Sequence, residues 1–305
     1  MNTAATTSQA PQLIDILRRS TAFLARNGVE SARLDAEVLL ADVLEMERIQ
    51  LYVQHDRPLI HDELERYRDA LKRRARRMPV AYVTGRKEFM SLDFAVDSRV
   101  LIPRPDTEVL VEAVCSRLAA LGIDDPIVVD IGTGSGAIAC AIARGVPGAR
   151  VLATDISGGA LEVAASNVAG LGLTGRVLFA QGDLFEPTSG TEFEHMDVLV
   201  SNPPYVPSSD IPSLAPEISR YEPRLALDGG PDGLDFYRRI ADGAPSRLTG
   251  RGFVALEVGE GQAASVSDIL EQAGLADLEA ICDYSGAIRV VVGSAPGVRG
   301  DTDVL

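Results

Sequence analysis

From residue 127 onward, short apolar runs recur at Ile127–Ile131, Arg150–Asp155, Val177–Gln181, Met196–Ser201 and 253–258. Each is of strand length and too short for a buried helix. Between several of them lie segments with helical spacing, such as 137–143, 159–169 and 262–273. Strands alternating with helices leave few folds open, because each crossover lays a helix on a face of a parallel sheet. A closing pair at 278–282 and 287–292 brings the strands to seven. The expectation is an α/β chain built on a doubly wound, mostly parallel seven-stranded sheet.

A different period governs the first part. Leu13, Ile16, Leu17, Phe23 and Leu24 fall at helical spacing and the run stops at Gly28. Ser31 is placed to cap a second helix with Leu34, Val38, Leu39 and Val43 on its apolar stripe. A third begins near His61. Residues 11–85 therefore read as a small helical bundle, taken as a substrate-docking domain. Residues 86–104 read as a β-hairpin linker, since 87–103 alternates apolar and polar. Residues 105–293 form the main domain. Residues 1–10 and 294–305 read as disordered tails, and the Pro-rich stretch 207–231 as a functional lid.

Of 305 residues, 46% are apolar, enough for a sizeable core. Net charge is −15 and unevenly placed. Residues 1–85 carry 13 Lys+Arg against 12 Asp+Glu, and the remaining 220 carry 16 against 32. So acidic a main domain disfavours wrapping a nucleic-acid backbone. Arg66, Arg68, Lys72, Arg73, Arg74, Arg76 and Arg77 cluster in the first part. They form either a solvated helix face or a dock for an acidic partner. Cys115, Cys140 and Cys282 lack Cys-x-x-Cys spacing and read as reduced core thiols of a cytosolic protein. The three histidines form no ligand pair, so no metal is expected. No apolar stretch approaches the ~20 residues of a membrane span, and no signal peptide is evident.

Val128-Val129-Asp130-Ile131 breaks into Gly132-Thr133-Gly134-Ser135-Gly136 and then a helix. Glycines let the backbone turn and approach a ligand closely, and a helix N-terminus offers N–H groups. Asp155 follows Gly132 by 23 residues, the place of a ribose-binding carboxylate. This much indicates adenosine and leaves NAD and S-adenosylmethionine both open. Asp183 and Leu184, in Gln181-Gly182-Asp183-Leu184-Phe185, follow the third strand, where an acid can hold an adenine amino group beside an apolar flank. Asn202-Pro203-Pro204-Tyr205 ends the fourth. A neutral amide, carbonyls freed of competing N–H groups and an aromatic face together suit a planar NH2 group. Asn202 and a main-chain carbonyl accept its two N–H bonds while Tyr205 stacks. Hydride transfer has no use for such a clamp, whereas methyl transfer to nitrogen has. Prolines that merely terminate a strand are the plainer alternative.

Across about residues 11–293 the chain resembles the N5-glutamine methyltransferases of peptide chain release factors, the HemK or PrmC family. The resemblance rests on Pro79-Val80-Ala81-Tyr82-Val83-Thr84-Gly85, Ile102-Pro103-Arg104-Pro105-Asp106-Thr107-Glu108, Asp130 to Gly136, Asn202-Pro203-Pro204-Tyr205, Glu222-Pro223-Arg224 and Leu256-Glu257-Val258-Gly259-Glu260-Gly261-Gln262. It implies a sheet of the class I S-adenosylmethionine-dependent methyltransferase type and S-adenosylmethionine as donor. The acceptor would be the glutamine of a release factor's Gly-Gly-Gln loop. By position, Gly132, Thr133, Gly134, Ser135 and Gly136 would hold the donor's methionine end and Asp155 the ribose. Asp183 and Leu184 would lie at the adenine, with Asn202 also touching the donor. Asn202, Pro203, Pro204 and Tyr205 would bind substrate, with Asn202 and Tyr205 catalytic. By the same resemblance Arg104, Asp106, Thr107 and Glu108 would be wall residues or would fix the interdomain hinge. The expected partner is a release factor, bound by a monomer without direct nucleic-acid or membrane contact. Two other functions fit parts of the pattern: N6-adenine methylation of DNA or RNA, since a flipped adenine offers the same NH2 group, and non-catalytic binding of release factors.

Overall fold

A computed structural model describes residues 12–296, which divide into two compact units. The tail expected at 1–10 lies outside the described residues. So does most of the one expected at 294–305, although Ser294 ends a strand and Ala295 is buried. The helices, in chain order, are α1 (Leu13–Arg26), α2 (Ala32–Val43), α3 (Arg48–Val53), α4 (His61–Ala75), α5 (Val80–Thr84), α6 (Asp106–Leu121), α7 (Ala137–Gly145), α8 (Gly158–Gly170), α9 (Pro216–Ser219), α10 (Asp235–Gly243) and α11 (Ala263–Gln272). None is long and apolar enough to cross a membrane.

The first unit comprises residues 12–85 together with Ala215–Tyr221. Leu13, Leu17 and Leu24 of α1, Leu39 and Leu40 of α2, and Tyr67 and Leu71 of α4 form its core. The α2 stripe differs from the one expected. Leu34 is 47% exposed, whereas Asp35 and Glu37 are buried. Ion pairing makes this arrangement stable. Arg74, itself buried, donates to Asp35 at 2.7 Å, and Arg33, Arg48 and Tyr52 converge on Glu37. Ser31 holds the N-cap position, but its hydroxyl makes no cap bond and donates to Asp35 at 2.8 Å. Three of the seven basic residues are committed inside the unit, while Arg66, Arg68, Lys72 and Arg76 are exposed. Arg74 and Arg77 donate to Glu217 at 2.9 and 2.6 Å, and Arg73 donates to the Tyr82 and Val83 carbonyls.

The second unit begins with a hairpin, β1 (Arg86–Phe89) and β2 (Leu92–Ala95). It is part of this unit's packing and shorter than the linker expected. Phe89 and Phe94 are buried edge to face at 6.2 Å, and Asn167 of α8 bonds both backbone groups of Ala95. The sheet follows with β3 (Ile127–Ile131), β4 (Arg150–Asp155), β5 (Val177–Gln181), β6 (Met196–Ser201), β7 (Leu248–Glu257), β8 (Ala276–Cys282) and β9 (Ile288–Ser294). Their order across the sheet is β5-β4-β3-β6-β7-β9-β8, parallel except that β9 runs against both its neighbours. This is the doubly wound α/β fold, with strand order reversing between β3 and β6. Of the cysteines only Cys140 is buried; Cys282 is exposed, so the description of all three as core thiols does not hold.

Candidate active site at the carboxyl edge of the sheet

Strand register assembles the site. Ile131 lies opposite both Thr154 and Ser201, and Asp155 lies opposite Gln181. Gly132, Asp155, Asn202 and Gly182 consequently leave four adjacent strands at about the same level. Neighbouring strands are only ~4.8 Å apart, so the groups following them meet in one crevice, at the switch point where open sheets bind ligands. A cavity of about 870 Å³, its open mouth included, occupies this place.

Gly132 and Gly134 line the cavity, both at positive φ, and a Cβ built on either meets nothing within 4 Å. The cradle is open because side chains are missing from it. The other loop residues face the framework. The Thr133 hydroxyl donates to Asp130 at 2.6 Å, and the Ser135 carbonyl accepts from Asn167 at 2.9 Å. A Cβ on Gly136 would come within 3.2 Å of Ala164 on α8. These three shape the loop and contribute no lining surface. Burial pushes the fully enclosed Asp130 carboxyl up to about 7.

Asp155 accepts the Gly134 N–H at 3.0 Å and the Ser157 N–H at 2.9 Å, one on each oxygen. Burial raises its pKa against those bonds. Each oxygen keeps a lone pair, which suits a vicinal diol. Asp183 and Leu184 also line the cavity. Asp183 pairs with Arg239, and Leu184 takes φ 46°, a left-handed conformation unusual for its type that turns the chain after β5. Phe236, Ile240, Pro223, Val100 and Leu101 add apolar wall that sequence reasoning did not identify. They come from separate segments with no motif in common.

Asn202, Pro203 and Pro204 line the cavity next to the glycine loop; Tyr205 is not among the lining residues. The Tyr205 carbonyl accepts from Gln262 at 3.0 Å, and its half-buried ring lies 3.0 Å from the place of a Gly259 Cβ. Burial, with the Glu257 charge, pushes the phenol up to about 12. Thr107 accepts a bond from Asn202 at 3.2 Å. Arg104 pairs with Glu222, Asp106 with Arg289, and Glu108 accepts the Met90 N–H. These three brace the surroundings.

The donor set matches S-adenosylmethionine: an open glycine cradle, a carboxylate at ribose distance in sequence, and an apolar slot. Among the described residues no group of His, Cys, Asp and Glu is placed to hold a metal ion.

Residues 15–85 match the model of the PrmC N-terminal domain and residues 105–219 that of the methyltransferase small domain. The release factor glutamine methyltransferase of Geobacter sulfurreducens is 44% identical over 278 residues, 91% of this chain and 95% of the relative. That of Moorella thermoacetica is 47% identical over 267 residues, 87% and 92% of the two chains. The hMettl16 catalytic domain bound to MAT2A 3′UTR hairpin 1 shares the fold at TM-score 0.56, with 16% identity over 90% of this chain and 91% of that one. Identity of this extent, over nearly the whole length of both chains, makes the chain a member of the release factor glutamine methyltransferase family.

Proposed function

We propose that Asn202, Pro203, Pro204 and Tyr205 hold the side-chain amide of a glutamine while the glycine loop and Asp155 hold the methyl donor. The enzyme methylates the N5 nitrogen of a release-factor glutamine, with S-adenosylmethionine as donor; the acceptor is the glutamine of the Gly-Gly-Gln loop. When bound, S-adenosylmethionine supplies an electrophilic methyl group on a sulfonium sulfur. The observation that carries the reading is the register of β3 with β6, which sets Asn202 beside Gly132.

An amide nitrogen is a poor nucleophile because its lone pair is delocalised into the carbonyl. The protein's task is to fix that nitrogen and let it pyramidalise, and proximity supplies much of the rate. The Asn202 oxygen and a proline-segment carbonyl accept the two N–H bonds, and Tyr205, which does not line the cavity, turns inward to close over the amide plane when substrate is held. The apolar wall keeps water from the cleft. Asp155 and the glycine backbone orient the donor, and no general base is assigned.

The proposal places the enzyme in the cytoplasm, where release factors work, as a monomer without direct nucleic-acid contact. An excess of 16 acidic residues over residues 86–305 supports the last point.

Mass spectrometry of a release factor incubated with the enzyme and S-adenosylmethionine is the test. One methyl (~14 Da) on the Gly-Gly-Gln glutamine, absent with Asn202→Ala, is expected. An unmodified factor alongside methylated adenine in nucleic acid would replace the reading by N6-adenine methylation.

A further inference from the structure

Asn202 is tied to two buried groups that the clamp does not itself use. Its Nδ2 donates to the Thr107 hydroxyl in the first turn of α6 at 3.2 Å, and Thr107 is 4% exposed. One residue beyond the Ser201–Leu256 pairing, Glu257 ends β7 beside Asn202, 2% exposed and with Oε2 lacking any partner. Thr107 and Asn202, both potential donors beside it, act to lower the pKa of its carboxyl. The Glu257 backbone is fixed independently, since its carbonyl accepts the Tyr237 hydroxyl at 2.8 Å.

An asparagine amide has a donating and an accepting end, and only the accepting end can bind an NH2 group. A buried carboxylate accepts and never donates. Thr107 accepts from Asn202, which leaves its own hydrogen to be donated to Glu257, whose pKa it lowers, so the chain of bonds would have one direction. We infer that Glu257 is a positioning residue whose carboxylate, acting with Thr107, holds the Asn202 oxygen toward the substrate nitrogen. The inference rests on the amide-clamp reading given above. A protonated Glu257 carries a donor, which can be accepted by the Asn202 oxygen. The amide then turns and offers an NH2 group to an NH2 group, and the clamp fails.

Burial pushes the Glu257 carboxyl up to about 7, against hydrogen bonds that lower it. The charged groups facing it are Asp106 on α6, which raises it, and Arg289 on β9, which lowers it. Tyr205 after β6 and Tyr237 on α10 also face it and remain neutral, both with raised values. The active form is the ionised one, so turnover should rise as pH climbs through about 7.

The test is kcat for release-factor methylation from about pH 5.5 to about pH 8.5, with donor affinity measured separately by calorimetry. In the wild type kcat rises and then levels. Glu257→Gln, which always carries a donor, should lower kcat by about tenfold or more at high pH and abolish the rise. Its donor affinity should stay within about twofold. A Gln variant that keeps the wild-type pH step, or loses donor affinity in step with kcat, overturns the inference. Should that variant fail to fold, Thr107→Ser must keep the step and Thr107→Val must lose it; identical behaviour of the two overturns it as well. A wild-type enzyme that leaves the glutamine unmethylated overturns the clamp reading and this inference together. Wild-type methylation with an unaltered Gln profile overturns the inference alone.

Discussion

At Asp155 a single carboxylate closes the glycine loop and faces the cleft, so on the proposed reading loop geometry and donor binding share one side chain. Hydrogen bonds to a charged group contribute ~1.5–3 kcal/mol each. Asp155→Asn should therefore weaken S-adenosylmethionine binding by about tenfold or more in calorimetry, with a smaller change in melting temperature. At Asn202 the chemistry is finer. Asn202→Asp keeps the size, but its charge replaces the Nδ2 donor that Thr107 receives. It should lower kcat by about 100-fold while KM for the donor moves little, as steady-state kinetics will show. The tetrapeptide stands out in the sequence because its residue types suit a planar NH2 group, and three of its four residues line the cavity. Glu257 was not singled out as a site residue, although it is the one acid in the apolar run 253–258. A lone buried acid discloses nothing until its neighbours are known, and they come from α6 and β6.

Among the elements, the loop before α7 shows how a motif can be read correctly as a motif while its residues do different work. Gly132 and Gly134 leave room in the cleft, but Gly136 serves the approach of α7 to α8. A Cβ there would sit 3.2 Å from Ala164, at φ 79°, where an L-residue is strained by ~1–2 kcal/mol. Gly136→Val should accordingly lower the melting temperature, and by more than Gly134→Ala, in thermal denaturation. The alternation of strand and helix was legible because buried parallel strands have apolar runs and turns between them. The polar stripe of α2 was not. Asp35 and Glu37 look like solvent-facing residues until Arg74 and Arg48, from other helices, are brought to them.

On the scale of the whole molecule, the basic cluster changes meaning. Arg74 and Arg77 are internal partners of Glu217 and not a free docking surface, so charge reversal should act first on stability. Arg74→Glu places a buried acid against Asp35 and Glu217 and should lower the unfolding midpoint by an amount worth about 3–5 kcal/mol in chemical denaturation. A pH dependence follows with a definite sign. Although burial opposes it, Arg77 and then Arg74 hold the Glu217 carboxyl down to about 2 from its ordinary 4.5. The stability this lends is complete above 4.5 and is lost as pH falls from there toward 2. Glu217→Gln should flatten that acid limb of the unfolding curve.

The segment Ala215–Tyr221 belongs with residues 12–85 although more than a hundred residues of the other unit precede it in the chain. Seven residues thus lie out of sequence with the unit they complete, and Glu217 among them carries its ion pairs. Cutting the gene after Gly85 would give one fragment missing the acid that Arg74 and Arg77 share, and another carrying it without either arginine. Exchanging the helical unit between relatives therefore requires two grafts, the N-terminal piece and this short internal one, which ties the inheritance of both to a single reading frame.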